Sequence, residues 1–190
     1  MSTITLQLVA IGDTKCGKSC LLMVFCSKIF PSEYVPTVSD SYSKHLAVQR
    51  RDIELKLLDT AGLKEHDRVR TLSYSGSHVI LVCYSIDSPD SFENVKEKWI
   101  PEIERYCSGL PIVLVGLKKD LRDDTKTIEY LKEKGQQPVS TKQGRKLANT
   151  VKAAAFLECS ALKRDGVHEV FNSAARAAIM ASSKRRCSIL

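Results

Sequence analysis

Gly12, Gly17, Lys18 and Ser19 stand in the order glycine, four residues, glycine, lysine, serine. They fall where an apolar run (Ile4, Leu6, Leu8, Val9, Ala10, Ile11) gives way to the helix-like run Cys20-Leu21-Leu22-Met23-Val24-Phe25. A strand that turns through glycines into a helix presents converging backbone N–H groups and the positive end of the helix dipole, a cradle for phosphate oxygens. Within the loop Gly12-Asp13-Thr14-Lys15-Cys16-Gly17-Lys18-Ser19, the Lys18 ammonium can reach outer phosphates and the Ser19 hydroxyl can ligate magnesium. Four fixed residues in these flanks set it apart from an ordinary strand-to-helix turn, so the expected ligand is a nucleoside triphosphate. A second cluster, Asp59-Thr60-Ala61-Gly62, ends the apolar strand from Ile53 to Leu58. Asp59 there is placed to hold magnesium through water, and Gly62 allows close backbone approach to a terminal phosphate.

These residues need a scaffold, and the hydropathy pattern supplies one. Phe30 to Val38 carries Pro31 and Pro36 and reads as an exposed loop. Tyr42, Leu46 and Val48 alternate with polar residues, as do Ile53, Leu55 and Leu57 across the turn Gln49-Arg50-Arg51-Asp52, which predicts a hairpin and hence one antiparallel edge strand. The polar segment up to Tyr74 reads as loop with a short helix. His78 to Ile86 and Ile112 to Val115 are apolar runs of strands buried on both faces. Ser88-Pro89 opens a helix with Phe92, Val95, Trp99 and Ile103 inward, bent at Pro101. Residues 123–137 predict a short exposed helix with Ile128 and Leu131 at helical spacing. Ser140 or Thr141 caps the next helix, and Ala154 to Cys159 forms the last strand. The final helix turns Val167, Val170, Phe171, Ala174, Ala178 and Ile179 inward, with Ser182 and Ser183 as a flexible link beyond it. The expected fold class is α/β, a single domain over residues 1–181, with helices on both faces of a mostly parallel six-stranded sheet.

The chain has 190 residues, 43% of them apolar and 27% charged, as expected of one globular domain. Seven cysteines, at 16, 20, 26, 83, 107, 159 and 187, are odd in number and lack metal-ligand spacing, so they read as reduced thiols of an intracellular protein. No signal peptide is expected at the start, and no run reaches membrane-spanning length. The net charge of +7 is scattered among acids without an aromatic-basic module, which argues against a nucleic-acid partner. His45, His66, His78 and His168 show no metal-ligand spacing.

From Leu6 to the last residue the sequence resembles the Rho family of Ras-superfamily small GTPases. The resemblance rests on Tyr34-Val35-Pro36-Thr37-Val38, Asp59-Thr60-Ala61-Gly62, Leu72-Ser73-Tyr74, Ser85-Ile86-Asp87-Ser88-Pro89-Asp90-Ser91, Lys118-Lys119-Asp120-Leu121-Arg122 and Glu158-Cys159-Ser160-Ala161. Residues 123–137 match the extra helix that separates Rho proteins from Ras. The resemblance implies a GTP-hydrolysing switch that uses GTP, GDP and Mg2+. Its catalytic positions would be Lys18, Thr37 and Gly62, and its magnesium would be held by Ser19, Thr37 and, through water, Asp59.

The same resemblance implies that Asp120 accepts hydrogen bonds from guanine, a carboxylate that adenine would leave unpaired. Lys118 would lie along the base, Ala161 would donate its N–H to the guanine oxygen, and Phe30 would pack at the edge of the nucleotide. Cys20, Tyr34, Ser160 and Leu162 complete the implied nucleotide contacts. Thr37 marks a first switch, Gly62 to Tyr74 a second. Tyr34, Val35, Pro36, Thr37, Val38, Ser39, Asp40, Ser41 and Tyr42 would meet effectors. Exchange factors and a dissociation inhibitor are further implied partners, the protein acting as a monomer in signalling to the actin cytoskeleton and cell polarity.

Four positions depart from the family pattern. Leu63 stands where relatives carry the glutamine that orients the attacking water, and leucine has no group for that task. Thr14 replaces a phosphate-loop glycine, placing a branched side chain where water and an activator's arginine must fit. Leu117 replaces an asparagine of the base-recognition motif, which predicts faster nucleotide exchange, and Ser39 replaces an aromatic of the first switch. Slow hydrolysis with faster exchange predicts a protein mostly bound to GTP. The alternatives are a non-cycling GTP-bound binding module and, discriminated by Asp120, a basic nucleic-acid-binding protein.

The sequence ends Lys184-Arg185-Arg186-Cys187-Ser188-Ile189-Leu190. A cysteine four from the end, with terminal leucine, fits a prenylation box that favours geranylgeranyl. The basic triad would supply the second membrane signal that one lipid chain needs. Residues 182–190 are therefore expected to be a polybasic, lipidated tail holding the protein at the cytoplasmic face of the plasma membrane, with a cytosolic pool.

Overall fold

The computed structural model describes residues 3–33, 37, 39–63 and 67–187, the side chains of 184–187 excepted. Tyr34, Val35, Pro36, Val38, Lys64, Glu65 and His66 lie outside the described residues, as do Ser188 to Leu190.

β1 (Ile4–Gly12) runs into α1 (Lys18–Ser27), and β2 (Ser39–Val48) pairs antiparallel with β3 (Arg51–Thr60). α2 (Asp67–Leu72) and β4 (Val79–Ser85) follow, then a helical body made of α3 (Pro89–Asn94), a π-helical turn (Val95–Trp99) and α4 (Ile100–Tyr106). β5 (Ile112–Leu117), a 3₁₀ turn (Lys119–Leu121), α5 (Thr125–Glu133), α6 (Thr141–Thr150), β6 (Ala155–Glu158) and α7 (Val167–Cys187) complete the chain. The strand order is β2-β3-β1-β4-β5-β6, with every neighbouring pair except β2 and β3 parallel. The sheet is thus the expected one, six strands with an antiparallel edge.

The chain leaves β1 for one side of the sheet and returns to its other side at β4, so the order reverses beside β1. Ligands of open α/β sheets bind at such a reversal, beyond the carboxyl ends of the strands. Both faces are covered. Leu8, Ala10, Leu55, Leu57, Leu81 and Val115 pack under α1 and α7, whose Phe25 and Phe171 rings stack at 3.8 Å. On the other face Val9, Ile11, Ile80, Val82 and Leu114 meet Val95, Trp99, Ile103 and Leu147. All six inward positions predicted for α7 are buried.

Four local expectations are revised. The hairpin turn is only Gln49 and Arg50, both left-handed, so the strands are longer and Asp59 lies inside β3. His78 precedes β4 and caps it instead: its N–H donates to Gln7 O at 2.8 Å while its Nδ1 accepts from Gln7 N–H at 3.0 Å. The bend expected at Pro101 is taken up one turn earlier, where Ile100 N–H bonds Val95 O. Proline has no N–H and its ring collides with the carbonyl four residues back, so the ladder ahead of it widens. α5, by contrast, is the short exposed helix expected, with Leu131 alone buried. Finally, Ser182 and Ser183 are not a link but a continuation of α7, their hydroxyls donating to Ala178 O and Ile179 O. Ser140 proves to be the α6 cap, in a reciprocal box with Gln143. No helix among the described residues is long and apolar enough to cross a membrane.

Candidate functional site

The turn after β1 folds back on its own helix. At Gly12 the backbone has φ +145°, and a Cβ there would overlap the Cys83 carbonyl of β4, so the strand can end against its neighbour only as glycine. Lys18 is buried, and its ammonium donates to Gly12 O and Asp13 O, each at 2.9 Å. The charge is therefore held under the loop, at the first turn of α1.

A cleft of about 420 Å³ opens above this loop. Thr14, Lys15, Gly17, Lys18, Ser19 and Cys20 form its floor, while Thr37 and the segment from Thr60 to Leu63 form its wall. A second compartment of about 210 Å³, lined by Phe30, Leu117, Lys118, Asp120, Leu121, Ala161 and Leu162, shares Gly17, Cys20 and Lys118 with the first. One compartment is cationic and rich in backbone amides; the other is apolar with one carboxylate. That pairing suits a phosphate chain joined to a flat base. Lys118, with left-handed φ of 57°, is anchored by Asp87 at 3.2 Å, which holds its stem along the wall between the two. Ser160 is buried, its hydroxyl accepting from Lys163 N–H at 3.0 Å, and so fixes the loop that carries Ala161 and Leu162.

Ser19, Thr37 and Asp59 converge on the cleft although they come from three elements. Ser19 Oγ lies 2.8 Å from Thr37 Oγ1, which donates to Asp59 Oδ2 at 3.5 Å. Asp59 is fully buried, and its Oδ1 has no hydrogen-bond partner among the described residues. Burial pushes its carboxyl pKa up, opposed by the Ser19 hydroxyl and the Lys18 charge. An orphaned carboxylate oxygen beside two hydroxyls is an all-oxygen donor set that fits a hard divalent cation such as magnesium.

Several sequence-predicted residues lie elsewhere. Asp13 turns its carboxylate away from the cleft, accepting from Trp99 Nε1 at 2.7 Å and Asn94 Nδ2 at 2.6 Å. Cys16 is buried beneath the loop. Tyr34 lies outside the described residues, as do Val35, Pro36, Val38 and His66. Ser39, Asp40 and Ser41 are exposed on edge strand β2, with Tyr42 half-buried beside them. Cys187 ends α7, and its side chain is outside the description. Leu63 and Thr14 both line the phosphate cleft and a further outer recess shared with Asn94, Glu97 and Lys98.

Other contributors could not be found from motifs. Arg70 is buried, donates to Ala61 O at 2.9 Å and to both Glu102 oxygens at 2.8 Å, and pairs with Asp67. It sits 4.9 Å from the centre of the Trp99 ring. Tyr74 donates to the same Glu102, and Lys98 donates to Gly62 O at 3.2 Å. The helical body 89–106 therefore grips the segment 61–63 as well as the phosphate loop. The one signal available was the inward face Phe92, Val95, Trp99 and Ile103 of that helix, and it implied packing alone.

Residues 7–180 match the Ras family. The chain is 52% identical over 179 residues to the "GTP-binding protein RHO1" of Candida albicans, covering 94% of this chain and 90% of that one. It is 51% identical over 183 residues to the RHO1 protein of Saccharomyces cerevisiae, covering 96% and 88%. To the "GTP-binding protein rho1" of Schizosaccharomyces pombe it is 49% identical over 195 residues, covering 97% and 96%.

Proposed function

Since the chain belongs to the Rho family of small GTPases, we propose that it is a GTP-binding switch that turns over slowly, stays mostly in its GTP-bound form and recruits effectors at a membrane. Binding of GTP and GDP, and GTP hydrolase chemistry, come with family membership. The slow turnover rests on one observation: Leu63 and Thr14 together line the cleft beside Gly62.

The residues divide the work as follows. The phosphate-loop amides and Lys18 hold the phosphate chain, and Asp120 selects guanine across the base compartment. Ser19, Thr37 and Asp59 would hold magnesium, which when bound neutralises charge on the outer phosphates. Thr37 reaches that set from the loop before β2, so its engagement couples the nucleotide state to the exposed residues Ser39 to Tyr42 that would meet effectors. Leu63 offers no hydrogen bond to an attacking water, and the Thr14 methyl narrows the entry for water and for an arginine supplied by an activator, a contribution of about 10³ to 10⁵ in rate for this chemistry. Leu117 lines the base compartment with an apolar group, which favours faster exchange.

At the other end, α7 carries Lys184, Arg185 and Arg186 to Cys187. Geranylgeranylation of Cys187 beside that triad would supply two membrane signals. A protein anchored in this way at the plasma membrane, with a cytosolic pool, would serve the actin and polarity roles that family membership suggests, through effectors, exchange factors and a dissociation inhibitor. A non-cycling GTP-bound module is the second reading, favoured by the same two residues.

Nucleotide extracted from protein isolated from cells should be predominantly GTP, and single-turnover hydrolysis should be slow. A mostly GDP-bound protein with ordinary turnover would refute the proposal. A Cys187→Ser variant should leave the membrane fraction; its retention there would refute the anchor.

A further inference from the structure

The helical body 89–106 holds the phosphate loop by a device that neither motif nor family membership assigns. Asp13 is, with Gly12, one of the two loop residues whose carbonyl oxygens accept from Lys18 Nζ, each at 2.9 Å. Its carboxylate is clamped on both oxygens, by Trp99 Nε1 at 2.7 Å and Asn94 Nδ2 at 2.6 Å. One residue thus ties the ammonium that faces the phosphates to a helix on the other side of the loop.

The clamp depends on the π-helical turn. Two residues five apart on an α-helix point roughly 140° away from each other, at about 100° per residue. Between Asn94 and Trp99 the ladder widens to the bond from Ile100 N–H to Val95 O. Five residues then make little more than one turn, and both side chains face Asp13. The indole is fully buried, so its N–H needs a partner, and Lys98 at 4.1 Å and Arg70 at 4.9 Å from the ring centre hold its plane. The ring cannot rotate away without breaking cation–π contacts.

We propose that Asn94 and Trp99 are positioning residues that lock the phosphate loop through Asp13 and thereby slow nucleotide release. This rests on the nucleotide-binding reading of the cleft. A loop whose Asp13 peptide is free to rotate loses one of the two acceptors that aim Lys18, so bound phosphate is held less firmly. The hydrogen bonds are charge-assisted, and each is expected to matter accordingly.

The test is release of fluorescent GDP from the full-length protein. Trp99→Phe keeps the ring but removes the N–H, and Asn94→Ala removes the second donor at a half-buried site; each should speed release about tenfold. Joining Trp99→Phe to Asp13→Ala should add less than about twofold to the faster single variant, because both break the same link. Ile103→Val trims core packing on the same helical body without touching the loop, and should leave release unchanged. Release from Trp99→Phe and Asn94→Ala within about twofold of the parent would overturn the proposal, as would equal acceleration by Ile103→Val or full multiplication in the double variant. A parent protein that retains neither GDP nor GTP would instead overturn the nucleotide-binding reading itself.

Discussion

Gly62 lies against the phosphate loop so closely that a Cβ on it would overlap the Thr14 nitrogen and stand 2.6 Å from Gly12 O. The two segments meet backbone to backbone, which brings the end of β3 over the phosphate cleft. Gly62→Ala must push the segment 61–63 off the loop. Affinity for GTP should fall by about tenfold or more while affinity for GDP changes little, because only the third phosphate needs that approach. Equilibrium titration with fluorescent analogues of both nucleotides checks it; equal affinities relative to the parent would refute it.

Thr14 and Leu63 occupy the same cleft, so their effects on hydrolysis should be jointly reversible. The double variant Thr14→Gly, Leu63→Gln is expected to raise the single-turnover rate by about tenfold or more, and to restore response to an activator's arginine. Each single reversal should recover less than the pair. A double variant as slow as the parent would place the block elsewhere.

Tyr84 is buried in β4 with a hydroxyl that has no partner among the described residues. Gly116 and Gly144 leave room for it: a Cβ on Gly116 would stand 2.8 Å from the hydroxyl. Burial pushes its pKa up strongly, with the Glu158 carboxylate adding to it. An unpaired buried hydroxyl is a standing cost, so Tyr84→Phe should raise stability by about 1 kcal/mol, read as a higher denaturation midpoint. A clear loss of stability would show that the hydroxyl has a partner.

Cys159 and Cys107 predict an alkaline loss of stability. Burial pushes the Cys159 thiol up to about 12 and the Cys107 thiol up to about 11, from 9.0 in each case. The native state therefore keeps protons that the unfolded chain releases, so this contribution is fully present below the unfolded value and is lost as pH rises from about 9 toward 12. The denaturation midpoint should fall across that window, and less steeply in Cys159→Ala. An unchanged slope in that variant would remove Cys159 from the account.

Where the sequence was legible, the reason was local. The phosphate loop and Asp59-Thr60-Ala61-Gly62 are short stretches in which chemistry and backbone requirement lie within a few residues of one another, so spacing declares them, whereas Lys118 to Asp120 was legible only through the family resemblance. The mostly parallel sheet followed from the alternation of apolar runs and helical periods, and the antiparallel edge from a hairpin too short to cross over. Details that depend on neighbours were less legible. The widened turn before Trp99 requires the loss of one helical hydrogen bond near Pro101, and the helical course of Ser182 and Ser183 follows from hydroxyls that bond back into α7.

The loop from Gly12 to Ser19 was fixed by its own residue types: glycines for close backbone approach, a lysine and a hydroxyl for phosphate and metal. Only the tertiary structure decided what holds that loop still and what looks into it. Asp13 and Trp99 are 86 residues apart, and Arg70 joins Glu102 across 32. Such contacts arise because β1, β3 and β4 are parallel neighbours whose following segments emerge at one edge of the sheet, a proximity that local spacing does not encode.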